Sequence, residues 1–113
     1  MKIIDKKITL NELKQMSQKM FGGLVKAVVD IELGVMAVDG ELHADEEKLL
    51  LENGSKQENL WGINIYPELE EKDRIEFDSM INLRPSQENM TRSVDDPKIQ
   101  NQIISIVKKL IEK

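Results

Sequence analysis

The stretch LVKAVVDIELGVMAV, residues 24–38, carries more information about the fold than any other part of the chain. Val25, Ala27, Val29, Ile31 and Leu33 recur with period two, and Lys26, Asp30 and Glu32 fall between them. That alternation is the pattern of a strand with one buried side. Gly34 interrupts the run, residues 35–39 resume it, and Asp39-Gly40 closes it, so the stretch predicts a β-hairpin.

Outward from the hairpin the period changes. Downstream, a helix is expected from about Ala44 to Asn53, with Asn53-Gly54 as its stop. Upstream, Thr9-Leu10-Asn11-Glu12 reads as a capping box. Leu10, Leu13, Met16, Met20 and Phe21 then share a helical face until Gly22-Gly23, and residues 2–8 read as a short edge strand. A second hairpin is expected further on. Leu60–Tyr66 places Trp61, Ile63 and Ile65 on one face, Pro67 ends it, and Glu68–Asp73 forms an acidic, solvated turn. Ile75–Leu83 then alternates most cleanly of all, with Ile75, Phe77, Ile81 and Leu83 opposed to Glu76, Asp78, Met80, Asn82 and Arg84. After Pro85 and a polar loop, Asp96-Pro97 supplies an N-cap and a first helical proline. The closing helix carries an apolar stripe through Ile99, Ile103, Ile106, Val107 and Leu110, with Lys108, Lys109 and Lys113 complementing its dipole.

The expected fold class is therefore α+β in the order α-β-β-α-β-β-α. An antiparallel sheet of about four strands, made from two hairpins, would carry its helices on one face. With 113 residues and no linker, residues 1–113 form a single domain.

Composition narrows the function classes. A formal charge of −5 without a basic run argues against nucleic acid, and four aromatics leave little for base stacking. No apolar run approaches the length of a membrane span, and Asp5 with its neighbouring lysines interrupts anything like a signal peptide. The absence of cysteine removes the disulfides common in small secreted domains, so a cytoplasmic protein is expected.

Two constellations could carry chemistry. The first is the corner Asp39-Gly40-Glu41-Leu42-His43-Ala44-Asp45, where three carboxylates alternate with the chain's one histidine. Extended, Glu41, His43 and Asp45 would share a side, as a divalent-metal site requires. The plainer reading is a strand-to-helix corner capped by His43 or Asp45. An EF-hand loop starting at Asp39 fails, because Ala44 stands where glycine belongs and Leu50 where the bidentate glutamate belongs. No metal and no cofactor is assigned. The second constellation is the polar row Asp78, Asn82, Arg84 and Gln87, with Asn64 on the neighbouring strand. Arg84 offers a planar fork for a carboxylate or phosphate, and the amides add donors and acceptors. Its plainer reading has Arg84 pairing with Asp78 or a helix carboxylate and the loop side chains holding their own backbone. No nucleophile motif or phosphate-binding glycine loop is present.

The strings GELHAD (40–45), LLLENGSKQENLWGINIYP (49–67) and IEFDSMINLRPSQ (75–87), followed by Ser93-Val94-Asp95-Asp96, resemble an uncharacterised family of small prokaryotic proteins known only as a domain of unknown function. The resemblance runs from about Val25 onward and implies domain extent and origin, not an activity. Function is expected to be that of a binding or interaction module without catalysis, self-associating or engaging a protein partner. The exposure expected of one leucine in Leu49-Leu50-Leu51 favours such a contact. The alternative is a small hydrolase or metal-assisted enzyme using His43 with Glu41, Asp45 or Asp78.

Overall fold

The computed structural model describes residues 1–113. In chain order the elements are β1 (Lys2–Ile4), β2 (Ile8–Thr9), α1 (Leu10–Ser17), β3 (Val25–Asp30), β4 (Val35–Val38) and α2 (His43–Glu52). They continue with β5 (Leu60–Ile65), β6 (Ile75–Glu76), α3 (Pro97–Leu110) and β7 (Ile111–Glu112). Single 3-10 turns occupy Gln57–Asn59, Glu71–Asp73, Met80–Asn82 and Pro85–Gln87. Five strands form one antiparallel sheet in the order β1-β4-β3-β5-β6, while β2 and β7 pair in parallel as a separate clasp. The fold is α+β, as the alternation of periods predicts, with residues 2–4 adding a fifth strand. No helix is long and apolar enough to cross a membrane.

The first hairpin forms with β3 ending at Asp30 rather than Leu33. Asp30 is buried, and its Oδ1 accepts from the backbone N–H of Glu32 (2.9 Å) and Leu33 (3.0 Å). Its Oδ2 accepts from Ser55 Oγ at 2.6 Å. A carboxylate holding two turn amides makes the reversal tight, and Gly34 completes it with φ of 70°. At α1, Thr9 Oγ1 accepts from Glu12 N at 3.1 Å, while the Glu12 carboxylate pairs with Lys2 instead of closing the capping box. The helix stops at Ser17, which leaves Phe21 exposed. At α3, Asp96 caps Lys98 N at 2.9 Å with Pro97 in the first turn.

Both faces of the sheet are covered. Val25, Ala27, Val29, Met36, Val38, Trp61, Ile63 and Ile65 form the main core with Leu13 and Met16 of α1 and Ile103, Val107 and Leu110 of α3. Val28, Ala37 and Leu60 face the opposite way and are buried with Leu50 of α2. The arrangement with helices on one face holds for α1 and α3, and α2 lies on the other. Period two here means two buried faces, because small residues (Ala37, Val28) on the second face admit a helix.

The expected fourth strand needs the largest correction. Of Ile75–Leu83, only Ile75 and Glu76 pair with β5, and Met80–Asn82 coil into a 3-10 turn. The cause lies in β5. A Cβ on Gly62 would fall 2.6 Å from Ser79 Cβ, so Ser79 and Ile81 drop onto bare backbone where a flat strand would have stood off. The row Glu76, Asp78, Met80, Asn82, Arg84 is therefore not one polar face, and Asn82 is fully buried.

Candidate functional site

At the start of α2, the N-cap is Leu42, which makes no side-chain cap, so neither His43 nor Asp45 has the capping role expected of them. Glu41 and Asp45 are exposed. Lys26 Nζ donates to the Glu41 carbonyl at 2.9 Å, tying the corner to β3. His43 turns inward, half-buried, with Nε2 at 2.7 Å from the Ile63 carbonyl. A carbonyl accepts, so Nε2 carries the proton and Nδ1 is the basic nitrogen. Burial pushes the imidazole pKa below its usual value, partly offset by the Ile63 bond, with Lys26 and Arg92 lowering it and Asp78 raising it. Nowhere do three His, Asp or Glu side chains converge as a metal-binding group.

Asn64 and Asp78 come to the same neighbourhood. Asn64 stands opposite Lys26 in the sheet, one residue beyond the carbonyl that His43 binds. Its amide donates to Glu76 Oε1 at 2.8 Å, and Tyr66 O–H donates to the same oxygen at 3.1 Å. Asp78 is paired with Arg92 at 2.8 Å. His43, Asn64 and Asp78 thus surround one stretch of β5, together with Lys26, Tyr66 and Arg92.

Asn82, Arg84 and Gln87 do not join them. The Asn82 amide accepts from Gly62 N at 2.8 Å and donates to Gly62 O at 2.9 Å and Arg92 O at 3.0 Å. Arg84 donates to the carbonyls of Gln57 and Leu60 and lies 4.3 Å from the centre of the Trp61 ring. No carboxylate pairs with it; burial lowers its pKa, with Glu47 acting in the opposite sense. Gln87 accepts from Arg84 at 3.0 Å and donates to Glu58 O at 3.0 Å. The two terminal nitrogens of the fork are thus occupied by backbone and Gln87, and the buried Nε has no acceptor.

Two features were not read from the sequence. Glu46 is 0% exposed, with Oε2 accepting from Gly40 N at 2.9 Å and Oε1 lacking any partner. Burial drives its pKa up to about 9, opposed by the Gly40 bond, Lys26 and the N-terminal amine and reinforced by Asp39. The second feature is a groove of about 540 Å³ between α3 and the 71–77 segment. Ile75, Phe77, Ile104, Val107 and Ile111 make its floor, and Lys72, Arg74, Lys108 and Lys113 stand around it with Glu71.

The model of one family, described as "Protein of unknown function (DUF5674)", matches residues 2–110. The chain belongs to that family. No curated protein and no solved structure matches it. The DUF5674 match includes β1 and α1, which precede the strings in which a resemblance is visible. Within this DUF5674 chain the signal for Glu46 was helical spacing, since His43, Glu46 and Leu50 sit at i, i+3 and i+7 on the face turned to the sheet. The groove left a weaker trace, because Lys72 and Arg74 sit inside a run dominated by acids, and Lys108 and Lys113 are accounted for by the helix dipole.

Proposed function

We propose that this DUF5674 protein is a binding module without chemistry of its own, taking its ligand in the groove between α3 and the 71–77 segment. One observation carries the reading: the chain has an open hollow of about 540 Å³ with an apolar floor and charged walls, whereas Asn82 and Arg84, away from it, are engaged in holding backbone. That volume falls within the range of small-molecule sites. The test is titration with the neutral dye N-phenyl-1-naphthylamine. Saturable one-to-one binding is expected, weakened at least tenfold in Ile104→Glu, a half-exposed position where a folded variant is obtainable. A dye that does not saturate, or binds the variant equally, overturns the reading.

The same proposal includes self-association and a cytoplasmic setting. Met80, Leu83 and Met90 are exposed near the Arg84–Asn89 bridge, with Leu83 and Met90 next to each other across it. Sedimentation of wild type against Met90→Asp tests whether they meet a second copy; a monomer at all concentrations removes that part.

A second reading, a hydrolase with His43 as general base, is favoured by the fixed tautomer. The Ile63 carbonyl holds Nε2–H and leaves Nδ1 as the basic nitrogen of an imidazole whose pKa burial lowers, within the electrostatic reach of Lys26, Asp78 and Arg92. A hydrolase substrate panel comparing wild type with His43→Ala decides it, and equal rates in the two would end it.

A further inference from the structure

We infer that the groove's ligand is a free single-chain amphiphile of the fatty-acid type, its carboxylate among Lys72, Arg74, Lys108 and Lys113 and its alkyl chain along the floor. This rests on the binding reading above and adds the ligand's chemistry.

The shape favours a chain over a compact molecule. Ile104, Val107 and Lys108 follow one another at i, i+3 and i+4 on α3, and Ile111, the extended residue just past its end, carries the ridge on to roughly 10 Å. Ile75 and Phe77, two residues apart, offer a second apolar wall of about 7 Å. A linear apolar ligand lies between such walls in full contact with both.

The charge favours an anionic head. The whole chain is at −5, yet four cations stand at this one groove. Their one acidic neighbour in the lining, Glu71, is 3.5 Å from Lys108. The dipole of α3 accounts for Lys108 but not for Lys72 and Arg74, which arrive from a different segment. Arg74 is half-buried, gives one bond from Nη2 to the Leu69 carbonyl at 3.3 Å, and has a buried Nε with no acceptor. A carboxylate supplies the acceptors this guanidinium lacks.

A polypeptide is the weaker occupant. A stable protein interface covers about 800 Å² on each partner, more than a groove of this size offers. Strand addition has little template, because β6 is two residues long.

The experiment displaces N-phenyl-1-naphthylamine from the full chain with C8, C10, C12 and C14 carboxylates, all below their micelle concentrations. Dodecanol, dodecyltrimethylammonium, an acidic amphipathic peptide and anionic vesicles serve as comparisons. From C8 to C10 the added pair of methylenes is expected to tighten binding about fourfold to fifteenfold, from half to full burial, with smaller gains at C12 and C14, where the chain outruns the floor. Dodecanoate should bind at least tenfold tighter than dodecanol, with the cationic amphiphile weakest. In Lys72→Glu/Lys113→Glu, two exposed positions, the carboxylate should lose at least about tenfold more affinity than dodecanol does. The ligand class is wrong if dodecanol matches dodecanoate, if chain length has no effect, or if the peptide or vesicles compete better. Failure of the dye itself to bind takes the groove reading down too, so the two failures are told apart.

Discussion

Replacing Glu46 by glutamine should change how stability depends on pH, in a calculable direction. The carboxyl is 0% exposed and has one protein donor, Gly40 N–H at 2.9 Å. Desolvation raises its pKa from 4.5 to about 9 against the pull of Gly40, Lys26 and the N-terminal amine. The native state therefore keeps a proton that the unfolded chain has released. Stability from this group is fully present below about 4.5 and is lost as pH rises through about 9. Each unit inside that window costs up to about 1.4 kcal/mol, so moving from pH 6.5 to 8.5 should remove up to about 2.7 kcal/mol. His43 has the opposite sign. Its native pKa is lowered, so its contribution grows as pH rises towards 6.5 and is constant above it. The window above 6.5 thus isolates Glu46. Urea unfolding followed by the fluorescence of Trp61, the only tryptophan, reads the effect. Wild type should lose stability from pH 6.5 to 8.5, and Glu46→Gln, which has no proton to lose, should stay nearly flat. Equal slopes in the two proteins would refute the account of this buried carboxyl.

Three further outcomes follow from the contacts around β5. Asn82→Ala strands the N–H and C=O of Gly62 and should cost about 2–5 kcal/mol in urea unfolding, with no loss if water replaces the amide freely. Gly62→Ala places a methyl 2.6 Å from Ser79 Cβ and should cost about 1–3 kcal/mol, while an unchanged midpoint would mean that the 79–82 turn moves aside easily. Arg84→Lys keeps the charge but loses the fork over the Gln57 and Leu60 carbonyls and the stack on Trp61. It should cost about 1–3 kcal/mol and alter the near-ultraviolet circular dichroism of Trp61; an unaltered spectrum would show the stack to be incidental.

The parts of the fold legible in the sequence were those set by local chemistry. Thr9 and Asp96 cap helices because a short oxygen-bearing side chain reaches a free amide two or three residues on. Alternation in residues 24–38 marks strands because it is a property of the backbone. The same logic failed at Ile75–Leu83, where alternation was present but decided nothing. What bends that segment is Gly62, 17 residues upstream of Ser79, whose missing side chain lets the two approach. A contact of that kind has no signature in either segment alone. Glu46 was overlooked because an acidic residue early in a helix has an adequate local explanation in the dipole, although its spacing from Leu50 pointed inward. The groove draws its cations from two segments, each with its own local reason for them.

The polar residues that looked like a ligand site share a structural task along β5. Beyond Asn64 and Ile65, which pair with β6, this strand has no neighbouring strand on that side. An open edge of this kind is a template for pairing with another chain. Side chains close it: Asn82 takes both backbone groups of Gly62, and Arg84 takes the Leu60 carbonyl, while the Ile63 carbonyl that His43 binds lies on the side of β3. Asn82 is held by Asn89, whose amide donates to the Asn82 carbonyl at 2.8 Å and to Ser93 O at 2.7 Å. Asn89 Oδ1 in turn accepts from Asp95 N at 2.8 Å, next to Val94 in the core. The 79–95 segment therefore works as a strand made of side chains, and its amides and guanidinium are needed because a backbone edge requires both donors and acceptors. A ligand competing for Asn82 or Arg84 would have to open the sheet. The groove beside α3 makes no such demand, since its lysines reach solvent and its floor is already formed, and for that reason the proposed binding is assigned to it rather than to the edge of β5.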